Sequence, residues 1–172
     1  MIKPIVLYGD KILRKPTDYI REGSDIKSLI QDLWDTMYNA EGAGLAAPQI
    51  GEPVKAFVAD LPDQEWKRVF INPVIKKKYG EKETVVEGCL SLPGISAHII
   101  REDEIEISYF DENWKYYTAY YRGVRSRVIQ HEYDHLDGVL WVDRVDPLIG
   151  MRMVEHLKAI QDRTVETSYP IV

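Results

Sequence analysis

Residues 104–138 read EIEISYFDENWKYYTAYYRGVRSRVIQHEYDHLDG, and the spacing of their apolar side chains changes part-way along. Apolar and polar residues alternate over 105–109, which predicts a half-buried β-strand. Asp-Glu-Asn at 111–113 is typical of a turn, and the tyrosine-rich run at 116–121 predicts a partner strand. The first half of the stretch therefore predicts a β-hairpin.

The second half of the stretch has the period of a helix. Val124 and Val128 share one helix face with His131 and His135, and Gly138 follows where a C-terminal cap is expected. The two histidines belong to an H-E-x-x-H pattern, in which imidazoles one turn apart can reach one metal ion. The glutamate beside the first histidine is then placed to act as a general base on water. The pattern predicts a metal site on this helix.

Helices and strands are also predicted on both sides of this stretch. Short apolar runs predict strands at 54–58 and at 69–71, the second of them stopped by Asn72-Pro73. Asp146-Pro147 predicts the start of a last helix, about 147–162, followed by a tail at 164–172. An earlier helix, with Ser24 as its N-cap, is indicated by one apolar stripe: Ile26, Leu29, Ile30, Leu33, Trp34 and Met37.

The order helix, strands, helix, helix predicts an α+β fold. We expect mostly antiparallel strands packed around a central helix that carries the H-E-x-x-H pattern, with an N-terminal and a C-terminal helix. The chain has 172 residues, 45% of them hydrophobic and 29% charged, so residues 1–172 are expected to form a single domain.

Composition also limits the classes of function. No run of apolar residues is long enough to span a membrane or to resemble a signal peptide, so we expect a cytoplasmic protein without membrane contact. The net charge of −6 argues against a DNA-binding surface, and a single cysteine excludes an internal disulfide. A monomer is the default expectation. A transient ribosome contact through the basic residues of the last helix is a weaker hypothesis.

Two histidines do not complete a catalytic metal site, which commonly has three protein ligands. One metalloprotease class supplies the third ligand in H-E-x-x-H-x-x-G-x-x-H, but here Trp141 stands at that position, and an indole is not a metal ligand. Glu155 on the last helix and Cys89 remain as candidates.

Three segments, taken together, resemble the peptide deformylases. They are GAGLAAPQ at 42–49, EGCLSLP at 87–93 and QHEYDHLDG at 130–138, and they occur in the order found in that family. ILRKP at 12–16 resembles the opening of the family. The resemblance covers about residues 5–145.

The resemblance implies a metal-dependent hydrolase that removes the formyl group from N-formylmethionine of newly made polypeptides and releases formate. Cys89, His131 and His135 would hold one divalent metal ion per chain, Fe2+ in the cell, for which Ni2+, Co2+ or Zn2+ can substitute. A metal-bound hydroxide would attack the formyl carbon, with Glu132 as general base and then acid. The amide of Gln49 and the backbone N–H of Leu90 would stabilise the oxyanion, a task that suits uncharged N–H donors.

An apolar pocket for the methionine side chain is also implied. Its candidates are Val86, Val124 and Val128, and the substrate-binding residues Ala43, Gly44 and Gly88 accompany them. Gly42 and Gly44 suit a backbone that must approach a substrate closely, with a plain turn after the first helix as the alternative. Ser96 stands where several deformylases carry an arginine, and we hypothesise that Arg101 pairs instead with Glu87.

Two other functions compete with deformylation. The first is an H-E-x-x-H metallo-endopeptidase with Glu155 as its third ligand. The second is a binding module stabilised by a closed structural metal site, which would need a fourth protein ligand and no accessible water. Glu132 and Gln49, which match catalytic positions, argue against the binding module.

Overall fold

The tyrosine-rich hairpin forms one edge of a five-stranded antiparallel sheet in the computed structural model, which describes residues 1–172. The strands lie side by side in chain order, and each pairs with the next. Their bounds are β1 Gly44–Ala46, β2 Ala56–Leu61, β3 Trp66–Cys89, β4 Leu92–Phe110 and β5 Tyr116–Arg122. The α+β prediction is confirmed, and Ile107 faces Ala119 across the predicted hairpin.

Four α-helices accompany the sheet, namely α1 Lys27–Asn39, α2 Gly123–Leu136, α3 Pro147–Arg152 and α4 Val154–Gln161. Short 3-10 helices occupy 11–14, 47–50, 62–64 and 141–144. The predicted helix over 147–162 begins as expected, because the Asp146 side chain accepts a hydrogen bond from Leu148 N–H, but it is interrupted at Met153.

The predicted cap of the first helix is wrong. The helix begins after Ile26, with no side-chain cap. Asp25 accepts a hydrogen bond from the Lys27 N–H over 3.1 Å. The carbonyl of Ser24 instead accepts the indole N–H of Trp114, so tertiary packing decides where this helix begins.

The predicted end of the strand at Asn72-Pro73 is also wrong. β3 continues to Cys89, and its register against β4 shifts between Ile71 and Val74. Asn72 has a positive φ of 49° there, and its amide group exchanges two hydrogen bonds with the backbone of Ile20. A bulge accommodates the proline without ending the strand.

Three hydrophobic clusters form the core. One lies between α1 and strands β1 to β3, and a second lies between the sheet and α2. The third joins the N-terminal segment to β4, the 3-10 helix at 141–144 and α4. Cys89 packs against the third cluster, Leu90 against the first and Val128 against the second. The residues singled out by the sequence therefore lie where the three clusters meet.

None of the helices combines the length and the hydrophobicity that crossing a membrane requires.

Candidate active site

Three side chains of the kinds that bind transition metals converge at the end of β3. The ligand atoms of Cys89, His131 and His135 all lie within 4.8 Å of one another. Cys89 is the last residue of β3, and the two histidines follow each other by one turn on α2, with ring centroids 5.2 Å apart. The Cys89 Sγ lies 3.3 Å from His135 Nε2. The helical spacing and the strand end thus produce one cluster.

The chemistry of this cluster fits a divalent metal ion. Burial lowers the pKa of His135 well below its usual value, so its ring is neutral, which is the form that binds a metal. His131 turns its Nδ1 to Glu87 Oε2 over 2.9 Å, the carboxylate contact that commonly orients a ligating histidine. One thiolate and two imidazoles suit iron, nickel, cobalt and zinc. Three protein ligands also characterise a catalytic site rather than a closed structural one.

Glu132 lies beside the cluster and is 5% exposed. Its Oε2 has no hydrogen-bond partner, although buried carboxylate oxygens ordinarily have one. Burial raises the pKa of Glu132 to about 7. An unpartnered carboxylate oxygen at the floor of a pocket is available to exchange a proton with a bound molecule.

Gln49 is held by the 3-10 helix at 47–50 and lines the same pocket as the cluster. Its Oε1 accepts from the Ala46 N–H over 2.8 Å, which fixes the orientation of the amide. Its Nε2 then donates to Ser91 Oγ over 3.1 Å and lies 3.6 Å from Cys89 Sγ. The amide nitrogen is therefore turned toward Cys89.

Leu90 and Ser91 form the two-residue turn between β3 and β4, directly after the Cys89 ligand. The Leu90 N–H donates to no other backbone group of the protein. This free donor and the Gln49 amide flank the same cluster, as an oxyanion site requires.

The backbone at Gly42 and Gly44 lies close to other groups, but these groups are side chains of the site itself rather than a substrate. A Cβ on Gly44 would lie 2.6 Å from Glu132 Oε1, and one on Gly42 would lie 2.9 Å from Leu90 Cδ1. Any larger residue at 44 would displace the carboxylate.

Comparison with known proteins agrees with this arrangement. The family model described as polypeptide deformylase matches residues 2–149. The chain belongs to the peptide deformylase family.

Individual relatives align with most or nearly all of this chain. The peptide deformylase of Christiangramia forsetii is 40% identical over 98% of this chain and 94% of its own. The peptide deformylase of Karelsulcia muelleri is 47% identical over 84% of this chain and 79% of its own. The crystal structure of the Thermus thermophilus enzyme superposes with a TM-score of 0.87 at 37% identity, covering 95% of this chain and 100% of the other. The crystal structure of the Legionella pneumophila peptide deformylase superposes with a TM-score of 0.86 at 33% identity, covering 95% of this chain and 98% of the other.

A pocket of about 680 Å³ opens above the cluster of this deformylase. Val86 and Val124 line it and are 53% and 54% exposed, so they present free apolar surface to whatever the pocket holds. The other predicted pocket residues also line it, namely Ala43, Gly44, Gly88 and Val128. Ser96 pairs with Gly88 across the hairpin and is exposed.

Buried charges hold the ligand side of the deformylase site in place. Arg101 is 3% exposed and donates to both oxygens of Glu87, over 2.7 and 2.9 Å, as the sequence hypothesis proposed. It also donates to Asp134 over 2.7 Å. Burial alone would raise the pKa of Glu87, but hydrogen bonds from Arg101 and His131 hold it below its usual value, so the carboxylate stays ionised.

Sequence reasoning missed several residues of the deformylase site. Asp134 and Arg127 take part in the buried ion pairs, and Arg127 Nη1 donates to Glu87 Oε1 over 2.8 Å. The i, i+3 spacing of Asp134 from His131 could have indicated Asp134. Residues 166–169 of the tail also line the pocket, and no local pattern indicated them. Glu155, the alternative ligand, is exposed on α4 and is absent from the ligand cluster.

Proposed function

We propose that the chain hydrolyses the formamide bond of N-formylmethionine at the start of newly made polypeptides, releasing formate and a free amino group. The observation that carries this proposal is the cluster of Cys89, His131 and His135 beside the unpartnered carboxylate of Glu132. Membership of the deformylase family supports the same reaction. The metallo-endopeptidase alternative is not favoured, because Glu155 lies outside the cluster.

Cys89, His131 and His135 would hold one divalent metal ion. Such an ion supplies a positive charge that polarises the formyl oxygen and lowers the pKa of water to about 7. Membership of the deformylase family supports iron(II) as the metal in the cell, and a thiolate with two imidazoles also accepts nickel, cobalt and zinc. An iron–thiolate site would be sensitive to oxygen, because the sulfur oxidises readily.

Glu132 would move the protons of the reaction. It accepts one proton as a water oxygen forms a bond to the formyl carbon, and it passes a proton to the methionine nitrogen as the carbon–nitrogen bond breaks. Gln49 Nε2 and the Leu90 N–H would donate to the oxygen that becomes negatively charged between these steps.

The apolar side of the pocket would hold the methionine side chain. Val86, Val124 and Val128 supply the surface that it covers, and Ala43, Gly44 and Gly88 supply backbone beside it. We further propose that residues 1–172 act as one catalytic unit, monomeric and cytoplasmic, where newly made chains emerge. We also propose that the basic residues of the last helix make a transient contact with the ribosome.

Formate release from a formyl-Met tripeptide tests the proposal, with protein purified without oxygen and loaded with nickel or iron(II). We expect release from this peptide and none from an acetyl-Met tripeptide. Glu132→Gln removes the proton acceptor, so we expect kcat to fall by about 100-fold or more with the metal content unchanged.

Glu155→Gln is the matched control, because it makes the same chemical change on an exposed helix position. It should leave formate release unchanged. If the wild-type protein released no formate and cleaved a longer peptide internally, the deformylase proposal would be wrong.

A further inference from the structure

The tail, residues 164–172, is fixed against the N-terminal segment. Ile5 and Ile171 form a parallel bridge. The Ile5 N–H donates to the Pro170 carbonyl over 2.8 Å, and the Val172 N–H donates to the Ile5 carbonyl over 3.0 Å. The tail follows the part of the chain matched by the family model, which ends at residue 149.

This anchored segment forms one wall of the active-site pocket. Residues 166–169 line the same cavity as the ligand cluster, Gln49 and Glu132. The Tyr169 ring packs against the hydrophobic cluster around α1, and Thr167 Oγ1 donates to the Tyr169 carbonyl over 2.7 Å. The position of Tyr169 is therefore set by packing, by a local hydrogen bond and by the backbone pairing of the next residues.

Tyr169 makes its one polar side-chain contact with the turn that follows the Cys89 ligand. Its hydroxyl donates to the Leu90 carbonyl over 2.8 Å. The same turn is held at two further points, because the Ser91 carbonyl accepts from the Tyr8 N–H over 2.9 Å and the Ser91 hydroxyl accepts from Gln49 Nε2. These three contacts come from the tail, the N-terminal segment and the 3-10 helix at 47–50.

We propose that Tyr169 is a positioning residue, which holds the Leu90–Ser91 turn so that the Leu90 N–H faces the reacting oxygen. This inference rests on the proposed function, in which that N–H stabilises the oxyanion. The hydroxyl fixes the peptide plane between Leu90 and Ser91, and the free Leu90 N–H lies on the adjacent plane. Burial raises the pKa of Tyr169 to about 12, so the hydroxyl remains a donor at neutral pH.

Tyr169→Phe tests the proposal, because it keeps the packed ring and removes only the hydroxyl. A displacement of about 1 Å in a catalytic group can lower a rate about 100-fold. The turn keeps its two other contacts in this variant, so we expect kcat to fall about tenfold. KM should change less than about twofold, since a donor to the oxyanion acts in the transition state rather than on the bound substrate.

Tyr38→Phe is the matched control. It also removes a tyrosine hydroxyl that donates a hydrogen bond, here to the Asp60 carboxylate, but Tyr38 lies outside the pocket. It should leave both kcat and KM unchanged.

Amide hydrogen exchange gives a readout that does not depend on activity or on the metal. We expect Tyr169→Phe to raise the exchange rate of the Tyr8 amide, which is hydrogen-bonded to the Ser91 carbonyl of the turn, about tenfold, while the amides in the centre of α1 keep their rates. General loosening of the fold would raise both sets of rates, and that result would overturn the positioning role.

The remaining outcomes separate this inference from the proposed function. An active wild type with an equally active Tyr169→Phe would overturn the role of Tyr169 alone. A raised KM with an unchanged kcat would also overturn it, because the tail would then only bind substrate. A wild type that releases no formate would overturn the proposed function instead, and the exchange rate of the Tyr8 amide would still decide whether the hydroxyl holds the turn.

Discussion

Gly44 is a glycine because the Glu132 carboxylate occupies the space of a side chain. We predict that Gly44→Ala, whose Cβ would meet Glu132 Oε1 at 2.6 Å, displaces the carboxylate and lowers kcat about 100-fold. Steady-state assays of formate release, combined with a melting curve, measure the two effects separately. An unchanged kcat would mean that Glu132 works equally well from another position.

Gly150→Ala is the control for this substitution. The added Cβ would meet only Val145 Cγ2, at an ordinary contact distance of 3.7 Å, within helix α3. Alanine is a better helix former than glycine by about 1 kcal/mol, so this variant should keep its activity and be no less stable than wild type.

Arg101 is the buried cation between two buried carboxylates. We predict that Arg101→Leu lowers the free energy of unfolding by about 3–5 kcal/mol, because Glu87 and Asp134 lose a charged donor in a buried site. Urea denaturation measures the difference.

Lys82→Ala provides the comparison for an exposed ion pair. Its pair with Glu102 spans 3.7 Å, and the lysine side chain is 68% exposed. We expect a loss below about 1 kcal/mol. Equal losses in the two variants would show that the buried pairs add nothing special to stability.

The two histidines and the glutamate could be predicted at the residue scale, because one helix turn brings them together whatever the rest of the chain does. Asp134 could not, since a carboxylate on a helix is usually solvated and its partner Arg101 comes from β4. The sequence did indicate the pair of Arg101 with Glu87. It did not indicate that the same guanidinium reaches α2.

At the scale of secondary-structure elements, α2 and α4 offer different third ligands for the metal. Glu155 on α4 is exposed, whereas Cys89 at the end of β3 lies with the histidines of α2. We predict that Cys89→Ser lowers the metal content of purified protein from about one ion per chain to near zero, because a serine hydroxyl is a much weaker ligand. Elemental analysis measures this content.

Glu155→Gln is expected to keep a full complement of metal in the same measurement. The reverse pattern, with metal lost from the Glu155 variant and retained by the Cys89 variant, would support the endopeptidase site.

Element types were predicted better than element ends. The hairpin of β4 and β5 and the helix α2 follow from apolar periods of two and of 3.6 residues, and both are present. The ends depend on distant groups that no local window contains. Hydrogen bonds between the Asn72 side chain and the distant Ile20 backbone accompany the continuation of β3 beyond Pro73. Ser24 does not cap α1, which begins after Ile26 without a side-chain cap.

At the scale of the whole molecule, the candidate metal site joins elements from different parts of the core. Cys89 packs against the hydrophobic cluster that includes α4, while His131 and His135 lie on α2, which packs against the sheet. We predict that chelating the metal lowers the melting temperature by roughly 10 °C. A ligand at about 1,000 times its Kd stabilises the folded state by about 4 kcal/mol, and each kcal/mol shifts the melting temperature by about 2–4 °C.

Differential scanning calorimetry before and after chelation measures this shift. Cys89→Ser should show no shift on chelation. A wild type with the same melting temperature in both states would indicate that the ligands do not join the elements through a metal ion.

The sequence could predict the fold class at this scale but not the wall of the pocket that the tail forms. Periodicity reports which face of an element is apolar, and it does not report which distant segment covers that face. The tail has no hydrophobic periodicity of its own, so only the structure reveals that it lines the same pocket as Glu132 and Gln49.

The bridge between Ile5 and Ile171 has a consequence for how the molecule is made. Polypeptides grow from the amino end, and their earlier parts begin to fold while the rest is still being synthesised. Ile5 is therefore synthesised long before Ile171, its partner in the bridge. Cys89, His131 and Glu132 precede the tail in the sequence, so the wall that contains Tyr169 is the last part of the pocket to be synthesised. Until Ile171 has been synthesised, this wall lacks the backbone pairing that fixes it to the N-terminal segment.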